Sequence, residues 1–347
     1  PPESPPESHP EASAELGSED LHLLEQASAS CGRLREQIGG VIVGQEPTVR
    51  SLLAAVFCEG HTLLVGVPGL AKTLLVNTVG GALGWSFHRV QFTPDMMPAD
   101  IVGMELLHED AEHGRSMRFV PGPIFANIIL ADEINRTPPK TQSALLEAMQ
   151  ERQVTSMGKR HELPRPFVVV ATQNPIEQEG TYPLPEAQLD RFMLSLWMDY
   201  PPVEEEERIV RETVTPQPAS IEAVLDREKM LAYQALVRRM PVSDHIVSYA
   251  VAIARATRPG SAAAHEMAQQ YVEWGAGPRA SQHMVLAGKA LALMDGTPTV
   301  TAAHIREAAP HVLRHRVMPN YHAAGEGIDT KSIVETVIEE IREPSYA

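Results

Sequence analysis

The residues with the clearest chemistry are Lys72 and Thr73, which close the stretch Gly66-Val67-Pro68-Gly69-Leu70-Ala71-Lys72-Thr73. The apolar run Thr62-Leu63-Leu64-Val65 precedes it and Leu74-Leu75-Val76 follows, a pattern of short strand, glycine-bearing loop and helix opened by Lys-Thr. Such an arrangement holds nucleotide phosphates. Backbone N–H groups of the loop and first helical turn, Leu74 included, point at the β-phosphate, and the helix dipole favours negative charge there. Lys72 would reach the β- and γ-phosphates, and the Thr73 hydroxyl would sit on Mg2+. Ala71 stands where the strict pattern G-x-x-x-x-G-K-[ST] has its second glycine, and its methyl is expected to be tolerated with a negative φ.

Two carboxylates form the second group. Asn127-Ile128-Ile129-Leu130-Ala131 reads as a buried parallel strand, with Asp132 and Glu133 at its C-terminal end, where open α/β sheets place ligands. Strand alternation is expected to aim the pair differently, Asp132 toward Mg2+ and Glu133 toward the water that attacks the γ-phosphate. The apolar strand Phe167–Thr172 ends in Gln173-Asn174-Pro175, and the Asn174 amide could hydrogen-bond that water or the γ-phosphate without adding charge. Asn before Pro is equally a turn starter. Arg191, in Leu189-Asp190-Arg191-Phe192, could enter a neighbouring subunit's site or pair locally with Asp190. Arg279 opens a helix after Gly275-Ala276-Gly277-Pro278, where a lid arginine could meet the γ-phosphate. Val43, Gly44 and Gln45 lie in a turn between two helical patterns, either an adenine pocket or a plain interhelical turn.

The elements that must position these groups alternate between helix and strand up to about residue 213, then become helical. Apolar positions predict a helix from Leu21 to Ile38, another after Pro47, and one following the phosphate loop to about Leu83. Strands are expected at Ser86–Phe92 and Met193–Met198. Thr93–Gly122 is long enough to carry its own inserted element. Arg152–Pro166 reads as a hairpin with a basic tip, Gly158-Lys159-Arg160. Glu204–Glu207 begin a helix with a solvated charged face, and Thr213–Pro218 reads as a linker. Helical patterns near 226–240, 243–257, 280–295 and 301–315 describe a small all-helical second domain. The boundaries are an acidic Pro/Glu/Ser-rich tail over 1–20, a core over 21–213 and a helical lid over 214–347.

The 347 residues suffice for two domains, with 43% apolar content to build their cores. No run of about 18 apolar residues predicts a membrane span. No secretory signal is evident, and the 2 cysteines form neither a disulfide framework nor a metal-site spacing, which points to the cytoplasm. The formal net charge of −16 argues against a nucleic-acid partner. His108, Glu109, Asp110, Glu112 and His113 offer ligand types with nothing to make them converge, so a polar turn is expected there.

The order of these pieces, from phosphate loop through Asp-Glu strand, Asn strand end and Leu-Asp-Arg-Phe to a helical lid with Gly-Pro-Arg, resembles an AAA+ ATPase. More narrowly, the chain resembles the MoxR family, on Gly66–Thr73, Phe92–Asp95 with Asp100-Ile101, Gly122–Asn135, Ala148–Val154 and Ala171–Phe192. The resemblance covers about residues 21–342, and Gly-Leu-Ala-Lys-Thr matches the family's own variant. It implies an α/β fold: a P-loop αβα core with a parallel sheet, then a small all-helical lid. It also implies ATP and Mg2+ as ligands, a homo-oligomeric ring, usually hexameric, and chaperone-like work on a protein client. Members are associated with maturing metalloenzymes, often beside a partner carrying a von Willebrand factor A domain. By the same resemblance Lys72 and Thr73 bind phosphate and Mg2+, Asp132 and Glu133 are the Walker B pair, and Asn174 is sensor 1. Arg191 is then the finger and Arg279 is sensor 2, acting on its own subunit's nucleotide or a neighbour's. A DNA-dependent motor and a nucleotide-gated scaffold with little hydrolysis are the competing readings.

Overall fold

The computed structural model describes residues 16–110, 114–176, 180–214 and 221–344. Most of the expected tail, most of the expected linker, and Glu112 and His113 lie outside them. In chain order the first half contains α1 (Ser18–Gly39), α2 (Glu46–Phe57), β1 (Thr62–Gly66), α3 (Lys72–Ala82), β2 (Phe87–Gln91), α4 (Pro98–Val102), β3 (Gly103–Asp110) and β4 (Gly114–Pro121). It continues with β5 (Ile128–Asp132), α5 (Pro139–Glu151), β6 (Gln153–Ser156), β7 (Lys159–Glu162), β8 (Val168–Gln173), α6 (Glu186–Leu189), β9 (Leu194–Met198) and α7 (Val203–Thr213). The second half contains α8 (Arg227–Arg239), α9 (Asp244–Ala256), α10 (Glu266–Tyr271), β10 (Val272–Trp274), α11 (Pro278–Asp295), α12 (Ala302–Leu313), β11 (Met318–Pro319), α13 (Tyr321–Glu326) and α14 (Thr330–Glu340).

Five parallel strands form one sheet in the order β2-β5-β8-β1-β9. The near-continuous apolar runs predicted this: β1 and β5 are buried along their whole length, and parallel sheets covered on both faces require such runs. One apolar cluster joins a face of the sheet to α1, α2, α3, α8, α9, α11 and α12. The other face, with Leu63, Val65, Ile129 and Ala171, packs against α5 and the segment around Ile101 and Ile124.

The expected insertion between 93 and 122 is α4 followed by the β3–β4 hairpin. The expected 152–166 hairpin is β6–β7, turning at Met157 and Gly158. One boundary shifts. Ser18, Glu19 and Asp20, read as tail, form the first turn of α1, whose acidic residues suit the helix dipole, and Asp20 pairs with Arg239 at 2.7 Å. The helical second half also carries the short β10–β11 pair.

Candidate active site

Register brings the predicted groups to one edge of the sheet. Val65 pairs with Gln173, and Ala131 with Ala171, so Gly66 and Asp132, the last residues of β1 and β5, and Asn174, just after β8, stand at the C-terminal ends of three adjacent strands. The first of these ends needs glycine. A Cβ on Gly66 would stand 2.9 Å from the Met198 carbonyl of β9.

The phosphate loop departs from expectation at Ala71, whose φ is +56°, not negative. Ala71 is the residue before the first helical one, and Gly69 also has positive φ, at +88°. Left-handed residues set among right-handed ones turn consecutive N–H groups toward one concavity, and that requirement outweighs a strain of about 1 kcal/mol for alanine. No side chain caps the N-terminus of α3, and the first-turn N–H groups of such a helix end are donors suited to an anion. Lys72 folds back to donate through Nζ to the Gly66 carbonyl. This donor set suits a polyphosphate.

Asp132 and Glu133 do diverge, though not by strand alternation. The strand ends at Asp132, and Glu133 is left-handed, with φ +56° and ψ +50°, starting the single turn Ile134–Arg136. Buried Thr172 fixes both: its hydroxyl donates to Asp132 Oδ1 at 2.6 Å and accepts from the Glu133 N–H at 2.9 Å. Arg89, on edge strand β2, reaches Asp132 Oδ2 at 2.6 Å. Gln91, opposite Asp132 in the register, donates to Glu133 Oε2 at 2.7 Å, and Arg136 donates to the same oxygen at 2.9 Å. Glu133 Oε1 accepts no hydrogen bond among the described residues. Sequence reading missed Arg89, Gln91, Arg136 and Thr172. Arg89-x-Gln91 places two polar side chains on one face of a strand next to the carboxylate strand, a signal visible once the strand order is known.

Asn174 is buried, its Oδ1 accepting from the Ile176 N–H at 3.2 Å. A cavity of about 370 Å³ opens beside it, walled by Asn135, Trp197 and Arg314, with Arg314 stacked over Trp197 at 3.9 Å. Gly44 sits against α7: a Cβ there would meet the Glu205 carboxylate. Gln45 caps α2 without a side-chain bond to its backbone, and Val43 is half-buried.

The alternative of an Arg191–Asp190 pair does not form. Asp190 instead receives Arg279 Nη1 on Oδ2 at 2.8 Å and Arg316 Nε on Oδ1 at 2.7 Å. Arg316 is buried and also donates to the carbonyls of Phe192 at 2.7 Å and Val312 at 2.6 Å. Burial, with Arg316 and then Arg279 nearby, pushes His283 down to about 3, so its neutral ring accepts from Arg316 on Nδ1 at 2.9 Å. Arg191 thus belongs to a turn clamped from both sides, while its own side chain has no ion pair among the described residues. Nothing in the local sequence around Arg316 signals this role.

Comparison with known proteins agrees with this geometry. Residues 61–194 match the ATPase family associated with various cellular activities (AAA), and residues 264–337 match the AAA lid domain. A Mycobacterium tuberculosis protein named Chaperone MoxR1 is 40% identical over 98% of this chain and 88% of its own length. The protein named MoxR of Methylorubrum extorquens is 32% identical over 83% of this chain and 87% of its own. A crystal structure from Cytophaga hutchinsonii superposes with a TM-score of 0.86 at 37% identity, covering 93% of this chain and 98% of that one. The fold and site define an AAA+ ATPase. Within that class, the chain belongs to the MoxR family.

Proposed function

We propose that this chain is a Mg2+-dependent ATP hydrolase that works as a homo-oligomeric ring, hexameric by family analogy, and remodels or matures a protein client. The observation that carries the reading is the convergence at adjacent strand ends of the α3 N-terminus with Lys72 and Thr73, the Asp132–Glu133 pair, and Asn174. Lys72 leaves the Gly66 carbonyl for the β- and γ-phosphates. Thr73 and Asp132 would hold Mg2+, which when bound neutralises charge on the phosphate oxygens. Glu133 Oε1 orients the attacking water and takes its proton, and the Asn174 amide donates to the water or γ-phosphate. Val43, Gly44 and Gln45 border the base. Arg191 serves as the finger in the next subunit's site, with Arg279 beside it through their shared neighbour Asp190.

We read residues 21–213 as the nucleotide-binding unit and 214–347 as the lid, in the cytoplasm. The chaperone-like role is supported by the name of the mycobacterial relative, and a von Willebrand factor A domain protein and metalloenzyme maturation follow from the family alone. No helix among the described residues is long and apolar enough to cross a membrane. The test is steady-state ATP hydrolysis with Mg2+ across protein concentrations for wild type, Glu133→Gln and Arg191→Ala. Activity should rise cooperatively with concentration. Glu133→Gln should lower turnover about 10²–10⁴-fold while still binding ATP, and Arg191→Ala subunits should poison mixed rings. Wild type that binds ATP and turns nothing over at any concentration overturns the hydrolase reading.

A further inference from the structure

In a chain of net charge −16, one groove is positive. It lies between α9 and α11, encloses about 820 Å³ and has an apolar floor of Val247, Val251, Val285 and Leu286. Val247 and Val251 are each 37% exposed, on a helix whose opposite face is in the core. Arg238, Arg258 and Lys289 form the rim, and no acidic side chain lines the groove among the described residues. Their nearest acceptors are backbone carbonyls: Arg258 donates to Ala276 at 2.8 Å and Lys289 to Arg238 at 3.3 Å. Burial, then Arg238, pushes Lys289 below the ordinary lysine value, as expected of positive charge without a counter-ion. The hydroxyl of Ser281, a residue only 8% exposed, also lines the groove and has no hydrogen-bond partner among the described residues.

The complementary surface is α7. Glu205 and Ile209 face inward, and Glu205 packs on the Gly44 turn. Val203, Glu206, Glu207, Val210 and Val214 follow helical spacing on the outward face. The valines are 68%, 54% and 74% exposed, alternating along the axis with carboxylates, of which Glu206 has no ion pair among the described residues and Glu207 pairs with Arg211 at 2.6 Å. Both the apolar and the charged components match the groove.

We propose that α7 of one subunit docks in the α9–α11 groove of the next copy, setting Val203, Val210 and Val214 on the valine floor and Glu206 and Glu207 against Arg238 and Lys289. Because groove and helix are different patches of one chain, the contact is heterologous, the kind that closes into a ring when its rotation allows. It rests on the ring reading given above and supplies that reading's joint. It also agrees with the finger. The groove begins at the N-terminal turn of α11, which carries Arg279 and through Asp190 adjoins Arg191, whereas α7 flanks the Val43–Gln45 turn. One head-to-tail contact therefore turns the Arg191 edge of one subunit toward the nucleotide edge of its neighbour.

The experiment is mass measurement by light scattering, across protein concentrations with Mg2+ and a non-hydrolysable ATP analogue. Arg238→Glu with Lys289→Glu, and separately Val210→Asp, should raise the concentration for half-assembly about tenfold or more. Circular dichroism checks that each variant is folded, and Val210, being exposed, leaves the core untouched. Adding Glu206→Lys and Glu207→Lys to the groove variant should restore assembly, since the charges are then exchanged. Wild type that assembles together with variants that assemble equally well overturns the docking while the ring stands. So does an exchange that fails to rescue. Wild type that stays monomeric throughout overturns the ring reading itself.

Discussion

Two of the places where this molecule gathers positive charge are built in opposite ways. The phosphate loop uses contiguous residues, with backbone donors and left-handed residues at Gly69 and Ala71, and folds Lys72 back onto the Gly66 carbonyl of the same loop. The Asp190 clamp brings Arg316 from 126 residues away and Arg279 from 89, buries the former, and satisfies it with a carboxylate and several carbonyls. The first is a site poised for a ligand; the second is already satisfied and holds a turn in place.

The difference predicts where damage appears. Arg316→Ala leaves buried carbonyls without donors and Asp190 half-paired, so it should lower stability by about 3 kcal/mol, read as a shift in the urea midpoint with an unchanged slope. An unaltered midpoint would make the clamp a surface pair in all but appearance. Lys72→Ala should do the reverse, leaving the melting temperature alone while ATP binding weakens about 10²-fold, as isothermal calorimetry would report. A large loss of stability there would mean that the Lys72–Gly66 bond is structural. The smallest effect is expected at Ala71→Gly, which relieves the left-handed alanine and should raise stability by about 0.5–1 kcal/mol. A fall instead would show that the methyl packs usefully.

The same contrast explains what could be read in the chain. The placement of Gly66–Thr73, Asp132-Glu133 and Asn174 at strand ends was legible because the secondary structure there is local, and the apolar runs before them read as buried strands. The backbone at Ala71 and Glu133 was not, since strand and helix patterns say nothing of the single residue that joins them. Arg89 and Gln91 depend on strand order, which periodicity does not fix. Arg316 depends on how the helical half folds over the Asp190 turn, and its own neighbours, Arg314 and His315, point to nothing in particular.

The apolar cluster that ties α1 and α2 to α8 and α11 has a consequence for synthesis on the ribosome. Ser28 of α1 donates to the carbonyl of Met294, 266 residues later. At roughly 5–20 residues per second, the inner faces of the first two helices wait on the order of 10–50 s for the helix that covers them. These two helices are made well before the helices that shield them, so the nascent protein carries their apolar faces uncovered until the helical half is complete.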